Sequence, residues 1–182
     1  MDIFLVRHGE AAAGWGHSSD PGLSELGVRQ AGEVAIALVP QLSAATKLLC
    51  SPLARARETA IPLADALEKE VIVQDAFREV PAPVPLPQRQ TWLRGFMQQQ
   101  WPGQPASLTE WRDRALCELL RQRQSAVVFT HFLLINAIVG RVLQRPEILC
   151  FWPDNGSITR LRLTGATLEL VSLGREMETV VN

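Results

Sequence analysis

Three features of the sequence predict an α/β fold, a three-layer αβα sandwich around a mostly parallel central sheet. Short apolar runs alternate with longer amphipathic stretches from residue 2 to residue 143. Such alternation marks β-α-β units, whose parallel strands are covered by helices on both faces. Two further runs flank Thr164-Gly165-Ala166, as a C-terminal antiparallel hairpin would. The length of 182 residues suits a single core, since domains usually hold about 100–200 residues. The whole chain, 1–182, is therefore expected to be one domain.

Asp2-Ile3-Phe4-Leu5-Val6 reads as a buried strand that ends where Arg7-His8-Gly9 must turn. Residues 11–22 carry Gly14, Gly16, Pro21 and Gly22 and read as loop. Ser24 can cap a helix over 25–39, with Leu26, Ala31, Val34, Ala35 and Leu38 as its apolar stripe. Residues 47–50 form a second strand. Ser51-Pro52 offers an N-cap and a first-turn proline for a helix to residue 67, kinked at Pro62. Residues 71–73 make a third strand. Ser107 and Glu110 have capping-box spacing and start a helix to residue 123. Residues 126–130 are an apolar strand ending at His131, followed by a helix over 132–143. The hairpin pairs 157–163 with 167–173.

Residues 80–109 break the pattern. Pro81, Pro83, Pro85, Pro87, Pro102 and Pro105 place half of the chain's 12 prolines there, without any Asp or Glu. Arg89, Arg94, Trp92 and Trp101 lie among them. Because the α/β pattern resumes on the far side, 80–106 is expected to be a proline-rich lid rather than a linker, with one short helix over 88–99. Trp92, Trp101 and Trp111 are read as packing anchors.

The charges nearly cancel, with 18 Lys and Arg against 19 Asp and Glu. No basic face for nucleic acid and no acidic tail is expected, so any anion must be held by a local cluster of cations. No apolar run approaches the length of about 20 that spans a bilayer, and residues 1–7 are too short for a secretory signal. Cys50, Cys117 and Cys150 show no paired spacing and read as buried free thiols, which points to a reducing, cytoplasmic setting. A homodimer is left open.

The chemistry follows from where two of the three histidines fall. His8 and His131 each come directly after a buried strand, and open α/β sheets place ligands at those strand ends. A parallel sheet brings both to one edge, with Arg7 beside the first. Arg55 follows the 47–50 strand, and Glu79 follows the third strand. Two histidines, two arginines and a carboxylate suit phosphoryl transfer. Guanidinium forks bind phosphate oxygens bidentately, and a neutral imidazole can attack phosphorus to split one displacement into two. Nearby positive charge favours the neutral imidazole. Glu79 can protonate the leaving oxygen and then activate water. No metal or other cofactor is required. His17, in the glycine-rich loop, and Arg57 and Glu58, on their helix, are expected at the surface.

Leu5-Val6-Arg7-His8-Gly9-Glu10 resembles the signature of the histidine phosphatase (phosphoglycerate mutase-like) superfamily. Asp20 to Gly27 with Gln30-Ala31 is similar to a second block, and Ser51-Pro52-Leu53-Ala54-Arg55 through Thr59-Ala60 to a third. Phe77-Arg78-Glu79, Val127 to His131 and Asn155-Gly156-Ser157 resemble the remaining blocks, in family order. The resemblance implies His8 as the phosphorylated nucleophile, Glu79 as the proton donor, and Arg7, Arg55 and His131 as the phosphate pocket. Arg55 rather than Arg57 holds the family arginine's place. Departures are Gly14 where Asn is common, Ala11 where Thr is frequent, Phe132 after the second histidine, and Val80-Pro81-Ala82-Pro83 after the acid.

The first functional reading is a phosphatase acting on a small phosphorylated metabolite, with no nucleic-acid or membrane partner. The second is a phosphohistidine protein phosphatase, which the presence of Glu79 disfavours. A phosphoglycerate mutase ranks third, and a non-catalytic anion-binding module last.

Overall fold

A computed structural model describes residues 1–13, 18 and 20–177. Six strands, β1 (Asp2–Arg7), β2 (Lys47–Cys50), β3 (Val71–Val73), β4 (Ala126–Thr130), β5 (Ile158–Thr164) and β6 (Thr167–Ser172), form one sheet. Their order is β3-β2-β4-β1-β5-β6. The first four run parallel, and the β5–β6 hairpin adds to the β1 edge in antiparallel sense. The helices are α1 (Glu25–Leu38), α2 (Ala54–Leu67), α3 (Arg89–Met97), α4 (Ala106–Leu120) and α5 (Phe132–Val142).

Side chains on a strand alternate faces, and on the central strands β1, β2 and β4 both faces are buried. Phe4 and Val6 of β1 join Leu48, Cys50, Val127 and Phe129 in a core covered by α1 and α2. Ile3 and Leu5 join Leu49, Ala126 and Val128 in a second core covered by α3, α4 and α5. The three-layer sandwich with its mostly parallel sheet and terminal hairpin is thus the observed fold. The segment 80–106 contributes Val80, Leu93, Phe96 and Trp101 to the second core. Trp101 and Trp111 are buried, and Trp92 stacks on Phe96 at 4.8 Å.

Several local expectations are corrected. In α1, Leu26 is exposed and the buried stripe runs through Gly27 instead. There the helix meets the chain after β1 backbone to backbone: a Cβ on Gly27 would overlap the Glu10 carbonyl oxygen, and one on Gly9 would lie 2.5 Å from the Gly27 oxygen. α2 starts at Ala54, with Leu53 rather than Ser51 as N-cap. Asp20 supplies the missing acceptor, its Oδ1 taking the Ala54 N–H at 2.8 Å. Pro62 lies inside α2, which continues to Leu67.

α4 starts at Ala106, so Ser107 is already in its first turn and Pro105 is the N-cap. Glu58 does not simply face solvent, because its Oε2 accepts the Leu23 N–H at 2.6 Å. The three cysteines are free, but only Cys50 is buried; Cys117 is exposed and Cys150 half-buried. Cys117 falls off the stripe of Leu108, Trp111, Ala115 and Leu119 by which α4 packs. Among the described residues no helix is long and apolar enough to cross a membrane. His17 and Gly14 lie outside the described residues.

Candidate active site

The parallel ladder assembles the site. The His8 N–H donates to the Thr130 carbonyl at 3.0 Å, and the Ser51 N–H to the Phe129 carbonyl at 2.9 Å. The residues that leave β1, β2 and β4 are therefore neighbours. The His8 and His131 rings meet edge to face with centroids 5.2 Å apart. Gly156 donates to the Arg7 carbonyl at 3.1 Å, which brings the 154–157 turn to the same edge.

Hydrogen-bond accounting fixes the His8 tautomer. Its Nδ1 lies 2.7 Å from the Gly9 carbonyl oxygen, which can only accept, so Nδ1 carries the proton. Its Nε2 lies 3.0 Å from the Arg55 Nε, which can only donate, so Nε2 carries the lone pair. Burial, then the charges of Arg55 and Arg7, hold the His8 pKa well below 6.5. The imidazole is neutral at pH 7, with a free electron pair on Nε2.

Arg55 occupies the first turn of α2, and Asp20 lies 4.0 Å from its Nη1. Thr59, one turn on, donates to the Arg55 carbonyl at 2.6 Å and accepts the Gly9 N–H at 3.0 Å, which ties that turn to the loop after β1. Arg7 is buried, donates from Nη1 to the Pro153 carbonyl at 2.8 Å, and lies 5.1 Å from the Phe132 ring centroid. Burial lowers its pKa to about 10, so it remains charged at neutral pH.

His131 is completely buried, its Nε2 lying 2.7 Å from Ser51 Oγ. Burial comes first, and His8 and the surrounding arginines next, in pushing its pKa well below 6.5. Glu79 is held by two backbone donors, Val80 N at 2.9 Å and Leu133 N, in the first turn of α5, at 3.2 Å. Those donors and the arginines favour the carboxylate, but burial outweighs them and raises the Glu79 pKa above its ordinary 4.5.

Arg7, His8, Arg55 and Glu79 line one cavity of about 180 Å³. His131 is packed behind His8 rather than on that wall. Three nitrogens of this cluster, Arg7 Nε, Arg89 Nε and His131 Nδ1, are buried without a hydrogen-bond partner. An unpaired buried donor costs about 1–3 kcal/mol, so the two arginine Nε–H groups mark a place for an acceptor-rich ligand. A larger groove of about 880 Å³ lies between α4, the end of α5 and the hairpin turn, but its wall holds no histidine. The cluster of His8, Arg7, Arg55 and Glu79 lines the smaller cavity. Among the described residues no group of His, Cys, Asp and Glu is arranged to hold a metal ion.

The family model for the histidine phosphatase superfamily (branch 1) matches residues 3–176. The chain belongs to that superfamily. Solved structures with the same fold include a mycobacterial glucosyl-3-phosphoglycerate phosphatase in complex with VO3, at TM-score 0.75 and 20% identity over 97% of this chain and 99% of that one. Another is a phosphoserine phosphatase from Entamoeba histolytica with 3-phosphoglyceric acid, at TM-score 0.73 and 21% identity over 97% and 98%. No curated protein matches the chain.

Sequence reasoning did not place Arg89, Leu93 or Asn155 at the site. Arg89 and Leu93 line the cavity, as does Asn155. Arg89 and Leu93 are one helical turn apart in α3, and that spacing in a segment without acidic residues was the available signal.

Proposed function

We propose that the protein is a phosphatase that hydrolyses phosphomonoesters of small metabolites through a phosphohistidine formed on His8. The observation that carries this reading is the fixed tautomer of His8, with its Nε2 electron pair directed at Arg55 among buried cations. A phosphoryl group entering the cavity offers Arg55 and Arg7 better acceptors than an imidazole nitrogen. Transfer of the Arg55 N–H to a phosphoryl oxygen frees the Nε2 lone pair. Nε2 then attacks phosphorus, and the P–O bond to the leaving group breaks with its electron pair going to oxygen. Glu79 gives that oxygen a proton. In the second half, the Glu79 carboxylate takes a proton from water, whose oxygen attacks phosphorus, and the P–N pair returns to Nε2. His8 keeps its Nδ1 proton on the Gly9 carbonyl throughout, which supports the positive charge of the phosphorylated ring. Charge on the nonbridging oxygens is met by Arg7 and Arg55, with the neutral His131 ring packed behind His8. The two guanidiniums supply this charge without a metal.

The activities of the structural neighbours, a glucosyl-3-phosphoglycerate phosphatase and a phosphoserine phosphatase, support a small phosphorylated metabolite as substrate class. Glu79 on the cavity wall favours an alcohol leaving group over phosphohistidine protein, whose phosphoramidate needs less protonation. The test is turnover of p-nitrophenyl phosphate by wild type and by His8→Ala, with acid-quenched reactions assayed for acid-labile phosphate. Wild type is expected to turn over and to carry label on His8, and the variant to do neither. Label on a serine or cysteine would overturn the mechanism.

A further inference from the structure

The cavity that holds His8 does not end at Glu79. A second cavity of about 380 Å³ adjoins it, and two residues, Glu79 and Arg89, line both. The proton donor must face the oxygen between the phosphoryl group and its alcohol. With phosphorus beside His8, the alcohol therefore extends past Glu79 toward the second cavity. The wall there is largely apolar, from Leu53, Pro81, Ala82, Val84 and Leu86, and its two cations are Arg78 and Arg89.

The two cations differ in what already holds them. Arg78 donates from Nε to Asp75 Oδ1 at 2.6 Å and is exposed. The Arg89 Nε is buried and, among the described residues, has no hydrogen-bond partner. Arg89 has no ion pair among the described residues, while α3 is fixed in place by buried Leu93 and Phe96. An arginine held on the wall with its Nε edge unpaired presents two parallel N–H groups, the fork that fits a carboxylate. One guanidinium balances one carboxylate; a second phosphate, carrying about two charges, would need more than the single guanidinium left here once Arg78 is paired with Asp75.

We infer that Arg89 is the specificity-determining residue of this site and that the substrates are phosphomonoesters whose alcohol bears a carboxylate. The inference rests on the phosphatase reading and narrows it. Arg89 acts on the part of the substrate that does not react, so its contribution falls mainly on KM and is smaller for substrates that lack the carboxylate.

The test uses 3-phosphoglycerate and glycerol 3-phosphate, which differ only by a carboxylate in place of a hydroxymethyl group. Wild type is expected to favour 3-phosphoglycerate by at least about tenfold in kcat/KM, the scale of a charge-assisted hydrogen bond. Arg89→Met is expected to lose about 10–10²-fold on 3-phosphoglycerate, chiefly in KM, and to bring the two substrates level. Arg89→Lys should restore part of the preference. Because Arg89 also lines the His8 cavity, both variants are expected to lose some turnover of p-nitrophenyl phosphate and some inhibition by vanadate, but less than they lose on 3-phosphoglycerate. Equal losses on both substrates together with vanadate inhibition weakened to the same degree would place Arg89 on the phosphoryl group and overturn the inference. So would p-nitrophenyl phosphate turnover by wild type with no preference between the two substrates, which leaves the phosphatase reading standing. Absence of turnover on every phosphomonoester would remove both. If Arg89→Met does not fold, the wild-type preference decides.

Discussion

Glu79→Gln isolates the proton from the shape. The carboxylate accepts Val80 N–H at 2.9 Å and Leu133 N–H at 3.2 Å, one on each oxygen. An amide has one acceptor oxygen, so the variant turns its NH2 toward one of those donors. That mismatch costs about 1–3 kcal/mol. Removal of a carboxylate whose burial already disfavours its charge offsets part of it. The net change in Tm should stay within a few degrees, at about 2–4 °C per kcal/mol for a chain of this size. The catalytic effect is much larger. General acid catalysis contributes about 10²–10⁴-fold, or about 3–5 kcal/mol of barrier, when the leaving group is an alkoxide. Glycerol phosphate should slow by that factor and p-nitrophenyl phosphate far less, because its phenolate leaves unaided. The pH profile gives a second readout. Glu79 must be protonated to act as acid and its pKa is raised, so kcat/KM for the alkyl ester falls as pH rises through a value above 4.5. His8 must be neutral and its pKa is depressed, so the acid limb lies below 6.5. In Glu79→Gln the basic limb disappears. Equal losses on both esters, with the limb retained, would show that Glu79 is structural.

Other expectations test the scaffold around it. Arg55→Lys replaces a fork by a point charge and should lower kcat/KM for p-nitrophenyl phosphate at least about tenfold while weakening vanadate inhibition; near wild-type kinetics would place Arg55 outside the chemistry. Gly27→Ala drives a methyl group into the Glu10 carbonyl, and overpacking of this kind costs about 1–3 kcal/mol, so thermal melts should shift down by about 2–12 °C. An unshifted melt would mean that α1 does not press on the loop after β1. EDTA should leave turnover intact, and activity lost to the chelator and restored by a divalent ion would contradict the metal-free mechanism.

How much of this was legible in the sequence depends on which contacts are local. The apolar runs carry the sheet, because a strand buried on both faces has few alternatives. The placement of His8 beside His131 follows once those strands are parallel, since each histidine is one step past a ladder end. The capping of α2 was not legible: Ser51-Pro52 looks like a helix start, but the acceptor for Ala54 comes from Asp20 in another loop. Cys117 was misplaced because an apolar neighbourhood in sequence is not the inward face of a helix.

Arg89 shows the same limit at the site itself. Residues 80–109 contain two arginines, Arg89 and Arg94, and composition cannot choose between them. The choice is made by α3, whose buried residues are Leu93 and Phe96. Residues four apart share a helix face, so Arg89 stands one turn before Leu93 and both reach the cavity. Arg94 is rotated about 100° from Leu93 and is exposed. The apolar pair therefore decides which guanidinium enters the pocket, although neither member of the pair carries charge. Insertion of one residue between Arg89 and Leu93 would turn the arginine off that face while leaving the core contacts of α3 in register.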